Sequence, residues 1–413
     1  MIASLKRLAA TRVTVLFAFL MAHAWLVWTG SRGPGHPMGD IPFAYHPWAT
    51  QMLQSHQLFG LTTTWVYPYP DLLPTLIPTF ISGLQYQTAW LLMSTLVDLA
   101  AMLTLLYWPF RFDLARVSAG WFWVAALLAL GPVSISRIDS ISVAIVVVGL
   151  VAWLRAKPAT ASMFFAVATW IKVWPIALLS ATILEAKAWR RALFAGAGTG
   201  LAILLFGFLW GKPSVVLGFV SEQTGRGIQI ESPWATWWLW QGVNEVPGSG
   251  LYYSNALNTF QVKGPGVSIW ASLLGPTTYL ALLITLVLGW LAIRRNASSA
   301  NDLRNEIFTW TVFTAVLDLI VFNKVGSPQY YGWLIIPAIL GLIHRVPNWG
   351  VIWPWLLGTL ALTGIIYPLI YDEILSRNEW ATAVLGIRNL SVVSLLVIGN
   401  ARLMELVRKK NLS

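Results

Sequence analysis

The chain has 413 residues, 57% of them hydrophobic and only 10% charged. Soluble domains carry about 25% charged residues, so a water-soluble globular protein is excluded. The absence of cysteine excludes disulfides and thiolate metal sites, and the net charge of +11 acquires meaning only once the charges are located.

Continuously apolar runs such as 141–154 and 278–292 exclude an outer-membrane barrel, whose strands alternate apolar and polar residues. With about 20 residues per crossing, the apolar content allows roughly ten to twelve spans. The expected fold class is therefore an all-α polytopic membrane protein. The first apolar run, 13–29, follows Lys6, Arg7 and Arg12 and has no small-residue cleavage site after it, which reads as a signal anchor with a cytoplasmic amino end. Further membrane segments are predicted near 86–108, 117–135, 141–154, 160–171, 174–186, 193–210, 267–292, 306–322, 330–343, 350–371 and 389–406. The sequence shows no internal repeat and no separate soluble domain, so 1–413 reads as a single membrane domain.

This layout assigns two thirds of the 27 Lys and Arg to the cytoplasmic side, Lys6, Arg7, Arg111 and Lys410 among them. The outer side holds Arg32, Arg137, Lys172, Lys212, Arg226, Lys263, Lys324, Arg377 and Arg388. Short cytoplasmic loops are enriched in Lys and Arg, so both termini are expected in the cytoplasm. The inner excess explains most of the net charge without invoking nucleic acid. Nine carboxylates, Asp40, Asp71, Asp139, Glu222, Glu231, Glu245, Asp372, Glu373 and Glu379, fall outside, and chemistry is expected there. The two long external loops are 30–85 and 211–266, and structureless connections longer than about 15 residues are usually functional. Within the first, 72–82 is apolar but short and carries Pro74 and Pro78, which fits a re-entrant or interfacial piece better than a crossing.

Residues 160–186 have cytoplasmic positive charge on both sides and an interruption at Lys172-Val-Trp-Pro175. Two half-helices of about 18 Å each, against a hydrocarbon core of about 30 Å, submerge Lys172. A buried ammonium costs several kcal/mol unless it is paired or lines a wet cavity. It therefore either binds an anion or pairs with a carboxylate such as Asp139.

Aromatic residues concentrate in the external loops: Trp48, Trp65, Tyr67 and Tyr69 in the first, Trp234, Trp237, Trp238, Trp240, Tyr252 and Tyr253 in the second. An interfacial belt explains them singly. The run 234–240 is denser than anchoring needs, and with Glu231, Gln241 and Asn244 nearby it suits a carbohydrate. Hydrolase, zinc-protease, dinucleotide and P-loop signatures are missing. His23, His36, His46, His56 and His344 show no metal-ligand spacing, so neither metal nor cofactor is expected.

Gly39-Asp40, Tyr45, Gly60 and Tyr67-Pro-Tyr-Pro70, followed by Lys172-Val-Trp-Pro175, 226–232 (RGIQIES) and Gly326-Ser-Pro-Gln-Tyr330, together resemble the GT-C fold glycosyltransferases that use polyprenyl-phosphate sugars. In order and spacing they are similar to glycosyltransferase family 87, which includes the actinobacterial α-mannosyltransferases of phosphatidylinositol mannoside synthesis and some arabinofuranosyltransferases. The resemblance implies a GT-C fold with about twelve transmembrane or half-membrane helices. It also implies inverting transfer of mannose from a polyprenyl-phosphate donor to a glycolipid acceptor, on the outer face of the plasma membrane.

By the same resemblance Asp40 is the general base, although the spacing to Tyr45 is stretched and Tyr67-Pro-Tyr-Pro replaces the commoner Tyr-Pro-Pro. An activated sugar phosphate needs one base for the acceptor hydroxyl and fixed positive charge for the departing phosphate. Lys172, Arg226 and Lys324 are the phosphate candidates. Tyr45, His46, Tyr67, Tyr69, Glu231, Trp234, Trp237, Gln329 and Tyr330 are the sugar or acceptor candidates.

Several readings stay open at this point. Asp71 is a second acid or a turn residue, and Glu231 binds sugar hydroxyls or pairs with Arg226. Asp98 and Asp318, within helices, read as structural hydrogen-bonding groups, and Arg137 and Asp139 as a local pair. The alternatives to mannosyl transfer are an arabinofuranosyl donor or, in another class, a lipid or solute transporter running past Asp98, Lys172 and Asp318.

Overall fold

The computed structural model describes residues 11–108, 113–185, 187–222, 225–255, 257–296 and 301–409. Lys6, Arg7, Arg111 and Lys410, four of the charges assigned to the inner side, lie outside the described residues. The architecture is helical. Its main helices are α1 (Arg12–Arg32), α2 (His46–Ser55), α3 (Tyr86–Tyr107), α4 (Leu114–Leu130), α5 (Ile138–Leu154), α6 (Pro158–Ile171), α7 (Ile176–Glu185), α8 (Trp189–Trp210), α9 (Thr236–Val243), α10 (Val267–Arg295), α11 (Asn301–Val321), α12 (Ile335–Ile343), α13 (Trp349–Gly364) and α14 (Glu379–Arg408).

Among the described residues, six helical stretches are long and apolar enough to cross a membrane: α1, α3, α8, α10, Trp349–Leu369 and α14. The other expected segments form α11 and shorter apolar helices, with α12 extended by a 3-10 turn over Pro328–Leu334. Helices α8 and α10 expose large apolar side chains, among them Phe194, Leu209, Tyr279 and Leu283. Such a surface requires a hydrocarbon surround. At the centre, every residue of α11 from Glu306 to Val321 is buried, and α5 packs against α3 and α6. Close packing of this kind uses small residues. A side chain at Gly149 on α5 would meet the Phe165 ring of α6 at 2.7 Å.

Local sequence sets the ends of these helices. Thr11 caps α1 by accepting from the Thr14 amide at 3.2 Å, and Asp113 caps α4 by accepting from Ala115 at 3.0 Å. The segment expected over 117–135 stops at Leu130 because Gly131 takes a left-handed φ of 75° and Pro132 follows. A separate turn, Val133–Ser136, then leads to α5. The interruption expected at Lys172 is present: α6 ends at Ile171, Lys172 is extended, and α7 resumes at Ile176. The 72–82 segment forms a short α-turn, Leu72–Leu76, and a 3-10 turn, Ile77–Phe80, rather than a crossing.

One expected boundary needs correction. The last helix starts at Glu379, ten residues before the expected 389, because Asn378 caps it. The helical fold also carries, in the second long loop, an antiparallel hairpin of β1 (Gly250–Ser254) and β2 (Thr259–Lys263). β-branched and aromatic residues there (Tyr252, Tyr253, Phe260, Val262) suit a pleated surface. The hairpin helps to bury a second apolar cluster of Ile228, Ile230, Trp238, Val262 and Ile374.

Candidate active site

Asp40 lies just before a π-helical turn, Ile41–Tyr45, that runs directly into α2. Tyr45 at the end of that turn stacks on Trp90 of α3, ring centroids 4.4 Å apart, and its hydroxyl accepts from the Ile138 amide at 3.5 Å. These contacts hold the first long loop against the head of α5. The Arg137 guanidinium, 4% exposed, is delivered there by an extended residue preceding α5 and forms an ion pair with Asp40. Asp40 itself stays open, with 39% of its side chain exposed. Arg137 also hydrogen-bonds with Tyr367 and feels the charges of Asp139 and Glu231.

Asp139, in the first turn of α5, points to the break between α6 and α7. Its Oδ2 lies 3.3 Å from Lys172 Nζ, and its Oδ1 accepts from Trp333 Nε1 at 2.9 Å. Lys172 lies over the Tyr67 ring at 4.6 Å and the Tyr330 ring at 5.6 Å, so carboxylate and aromatic faces together replace its lost water. Tyr330 stacks on Trp333 at 4.3 Å, and Trp333 on Trp174 at 5.4 Å. The sequence reading of Arg137 and Asp139 as a local pair is therefore incomplete: each has a partner from a distant segment. Of the two environments expected for Lys172, the described residues show the pair with Asp139.

The second long loop closes the site from the other side. Gln229 N–H donates to the Lys324 carbonyl at 2.9 Å, and Ser232 Oγ donates to the Asn323 carbonyl at 2.9 Å. Gly326 makes this approach possible, since a Cβ there would lie 2.1 Å from the Ser232 nitrogen. Arg388 of α14, buried, donates to the Glu231 carbonyl at 2.7 Å and lies over the Tyr331 ring at 4.3 Å. The Glu231 carboxylate takes hydrogen bonds from its own backbone N–H and from Tyr371, and among the described residues it makes no ion pair with Arg226. Burial pushes that carboxyl up, with its hydrogen bonds and Arg388 pulling the other way. Arg226 and Lys324 are close enough to repel: burial first, and Arg226 second, lower the Lys324 ammonium below the usual lysine range. Arg226 also acts on Tyr330, which links this cationic pair to the Lys172 cluster.

Asp40, Tyr45, Tyr67, Lys172, Arg226, Glu231, Lys324 and Tyr330 thus join one connected electrostatic network. Other candidates stand apart from it. Tyr69 donates to the Ile203 carbonyl at 2.6 Å and docks α8. Trp234 stacks on Trp270 at 5.0 Å, and Trp237 is 67% exposed. His46 stacks on Tyr86 at 4.7 Å and lines an open groove of about 390 Å³ with Thr50, Gln54 and Thr79. Gln329 borders a small cavity shared with Asp98 and Asp139. Asp98 accepts from or pairs with His23 at 3.3 Å, and Asp318 accepts from Thr285 at 2.6 Å, the structural roles the sequence suggested. Residues that the sequence did not single out include Arg388, Tyr367, Tyr371 and Trp333. A charge, a hydroxyl or an indole N–H within an apolar segment is the signal they carry. Among the described residues no group of three or more His, Cys, Asp or Glu side chains comes together as a metal site.

Residues 65–321, more than half of the chain, match glycosyltransferase family 87. The chain belongs to glycosyltransferase family 87. The matched span of this family 87 enzyme carries Tyr67, Arg137, Asp139, Lys172, Arg226 and Glu231, while Asp40 precedes it and Lys324, Gln329 and Tyr330 follow it. Comparison with curated proteins returns no match. A membrane glycosyltransferase takes a sugar donor and an acceptor at a bilayer, and sugar transfer thereby stands ahead of the transport alternative.

Proposed function

We propose that this glycosyltransferase has a GT-C fold and transfers mannose from a polyprenyl-phosphate donor to a glycolipid acceptor, with inversion. The acceptor class is phosphatidylinositol mannoside, and the reaction takes place on the outer face of the plasma membrane, with both termini in the cytoplasm. Asp40 takes the proton from the acceptor hydroxyl as that oxygen attacks the anomeric carbon. The bond from the anomeric carbon to the phosphate oxygen breaks, and the phosphate leaves with the electron pair. Arg226, Lys324 and Lys172 stabilise the charge it acquires.

The observation that carries this reading is the chain of contacts from Asp40 through Arg137 to the head of α5, and from Asp139 on the same helix to Lys172. It ties a half-exposed acid to a buried cation through one rigid element. The neighbouring Arg226 and Lys324 repel each other, and an anion between them relieves that repulsion. Both aromatic rings over Lys172 also suit a sugar face.

The test presents radiolabelled polyprenyl-phosphate mannose and polyprenyl-phosphate arabinose separately to the purified protein in liposomes with a glycolipid acceptor. Label moving to the acceptor from the mannose donor supports the proposal. Transfer from arabinose alone replaces it with the arabinofuranosyl alternative, and transfer from neither contradicts both.

A further inference from the structure

Asp71 is completely buried, and neither of its carboxylate oxygens has a hydrogen-bond partner among the described residues. Thr75, four residues on in the continuous helical run 69–76 and hence on the same side of it, is likewise fully buried with an unpartnered hydroxyl. Buried polar groups are almost always satisfied, and a pair left unsatisfied costs stability unless it serves another purpose. Asp71 lies within electrostatic reach of Lys172, Asp139, Tyr45 and Tyr67, so it borders the donor side of the site. Lys172 pairs with Asp139 and makes no ion pair with Asp71 among the described residues.

We propose that Asp71 and Thr75 form a subsite for the hydroxyl groups of the sugar being transferred, resting on the reading of this site as a sugar-phosphate donor site. A sugar ring presents several adjacent hydroxyls, each able to donate and to accept. Asp71 and Thr75 offer the complementary acceptors and donor, and Asp71 lies within electrostatic reach of the Lys172 ammonium and of Tyr67. Burial pushes the Asp71 carboxyl well above the usual carboxylate range, with Lys172 pulling it down and Asp139 pushing it further up. In its neutral form it both donates to and accepts from a hydroxyl. Sugar hydroxyls that reach this pair take the place of the missing partners.

Replacing an unsatisfied buried acid with an apolar residue of similar volume stabilises a fold when the acid has no other task. Asp71→Leu therefore separates a binding role from a structural one. Asp71→Leu is expected to unfold at an equal or higher temperature than the wild type in detergent, yet to raise the donor KM at least tenfold in liposomes. A donor whose sugar lacks one hydroxyl should be discriminated at least tenfold by the wild type and not by Asp71→Leu, a readout that a packing role does not move. Asp71→Asn and Thr75→Val, which keep the local shape, repeat the KM measurement if the leucine variant fails to fold. Unchanged donor KM and unchanged discrimination in the folded variants overturn the inference alone. Absence of transfer by the wild type in the same assay removes the donor-site reading and this inference with it.

Discussion

Arg137 and Asp40 meet across the gap between the head of α5 and the loop that follows α1, the arginine almost wholly buried and the aspartate half open. The pair is lopsided. Its exposed half is screened by solvent, so its worth to stability is small, whereas its effect on where the carboxylate points is direct.

Arg137→Gln is accordingly expected to cost roughly 10²-fold in kcat, the penalty of a misplaced catalytic group, with only a modest fall in melting temperature. Arg137→Lys should recover part of the rate. Steady-state transfer rates beside thermal unfolding of the same preparations check this, and an unchanged kcat in Arg137→Gln would count against an orienting role.

Lys172 and Asp139 behave differently because both are buried. Asp139→Asn leaves an uncompensated ammonium and is expected to destabilise the protein by about 3–5 kcal/mol. The double variant Asp139→Asn with Lys172→Met should regain most of that stability while remaining inactive, since the proposed phosphate site loses one of its cations. Denaturation midpoints compared with transfer rates separate the two effects.

The break at Lys172 was legible because a lysine and a proline interrupt an apolar run flanked by charge on both sides. The environment of Lys172 was half legible. Asp139 could be named as a partner because both residues fall on the same side of the layout, but the rings of Tyr67 and Tyr330 come from distant loops. The Arg137–Asp40 pair was hidden by a nearer carboxylate, Asp139, which sequence proximity favours and helix geometry sends elsewhere. The β1–β2 hairpin escaped because two five-residue strands leave little periodicity in a loop rich in Gly and aromatic residues. Burial of Asp71 depends on how the short turns of the first loop fold back, which no local pattern records.

Lys324 supplies a pH test. Burial and Arg226 lower its pKa, so the free enzyme loses this positive charge at a lower pH than an ordinary lysine would. The kcat/KM for donor, which reports groups in the free enzyme, should fall as pH rises, with its midpoint below the usual lysine value of about 10.4. Lys324→Arg keeps its charge and should flatten that limb. A limb unaltered by the arginine substitution would assign it to another group.

Gly326 tests how tightly the two loops must meet. A methyl at this position collides with the backbone of Glu231 and Ser232, which cannot yield as a flexible side chain can. Gly326→Ala is expected to cost about 1–3 kcal/mol or more and to impair donor turnover by moving Lys324 away from Arg226. Limited proteolysis of the second loop together with the transfer assay would detect both consequences, and a variant indistinguishable from wild type in each would contradict the close approach.

The most direct measurement is transfer by Asp40→Asn in liposomes containing polyprenyl-phosphate mannose and a glycolipid acceptor. The substitution preserves shape and can still accept from Arg137, but it cannot take up the acceptor's proton. The account predicts a folded protein with donor binding near that of the wild type and a kcat reduced by roughly 10²–10⁴. Wild-type turnover by Asp40→Asn would contradict it.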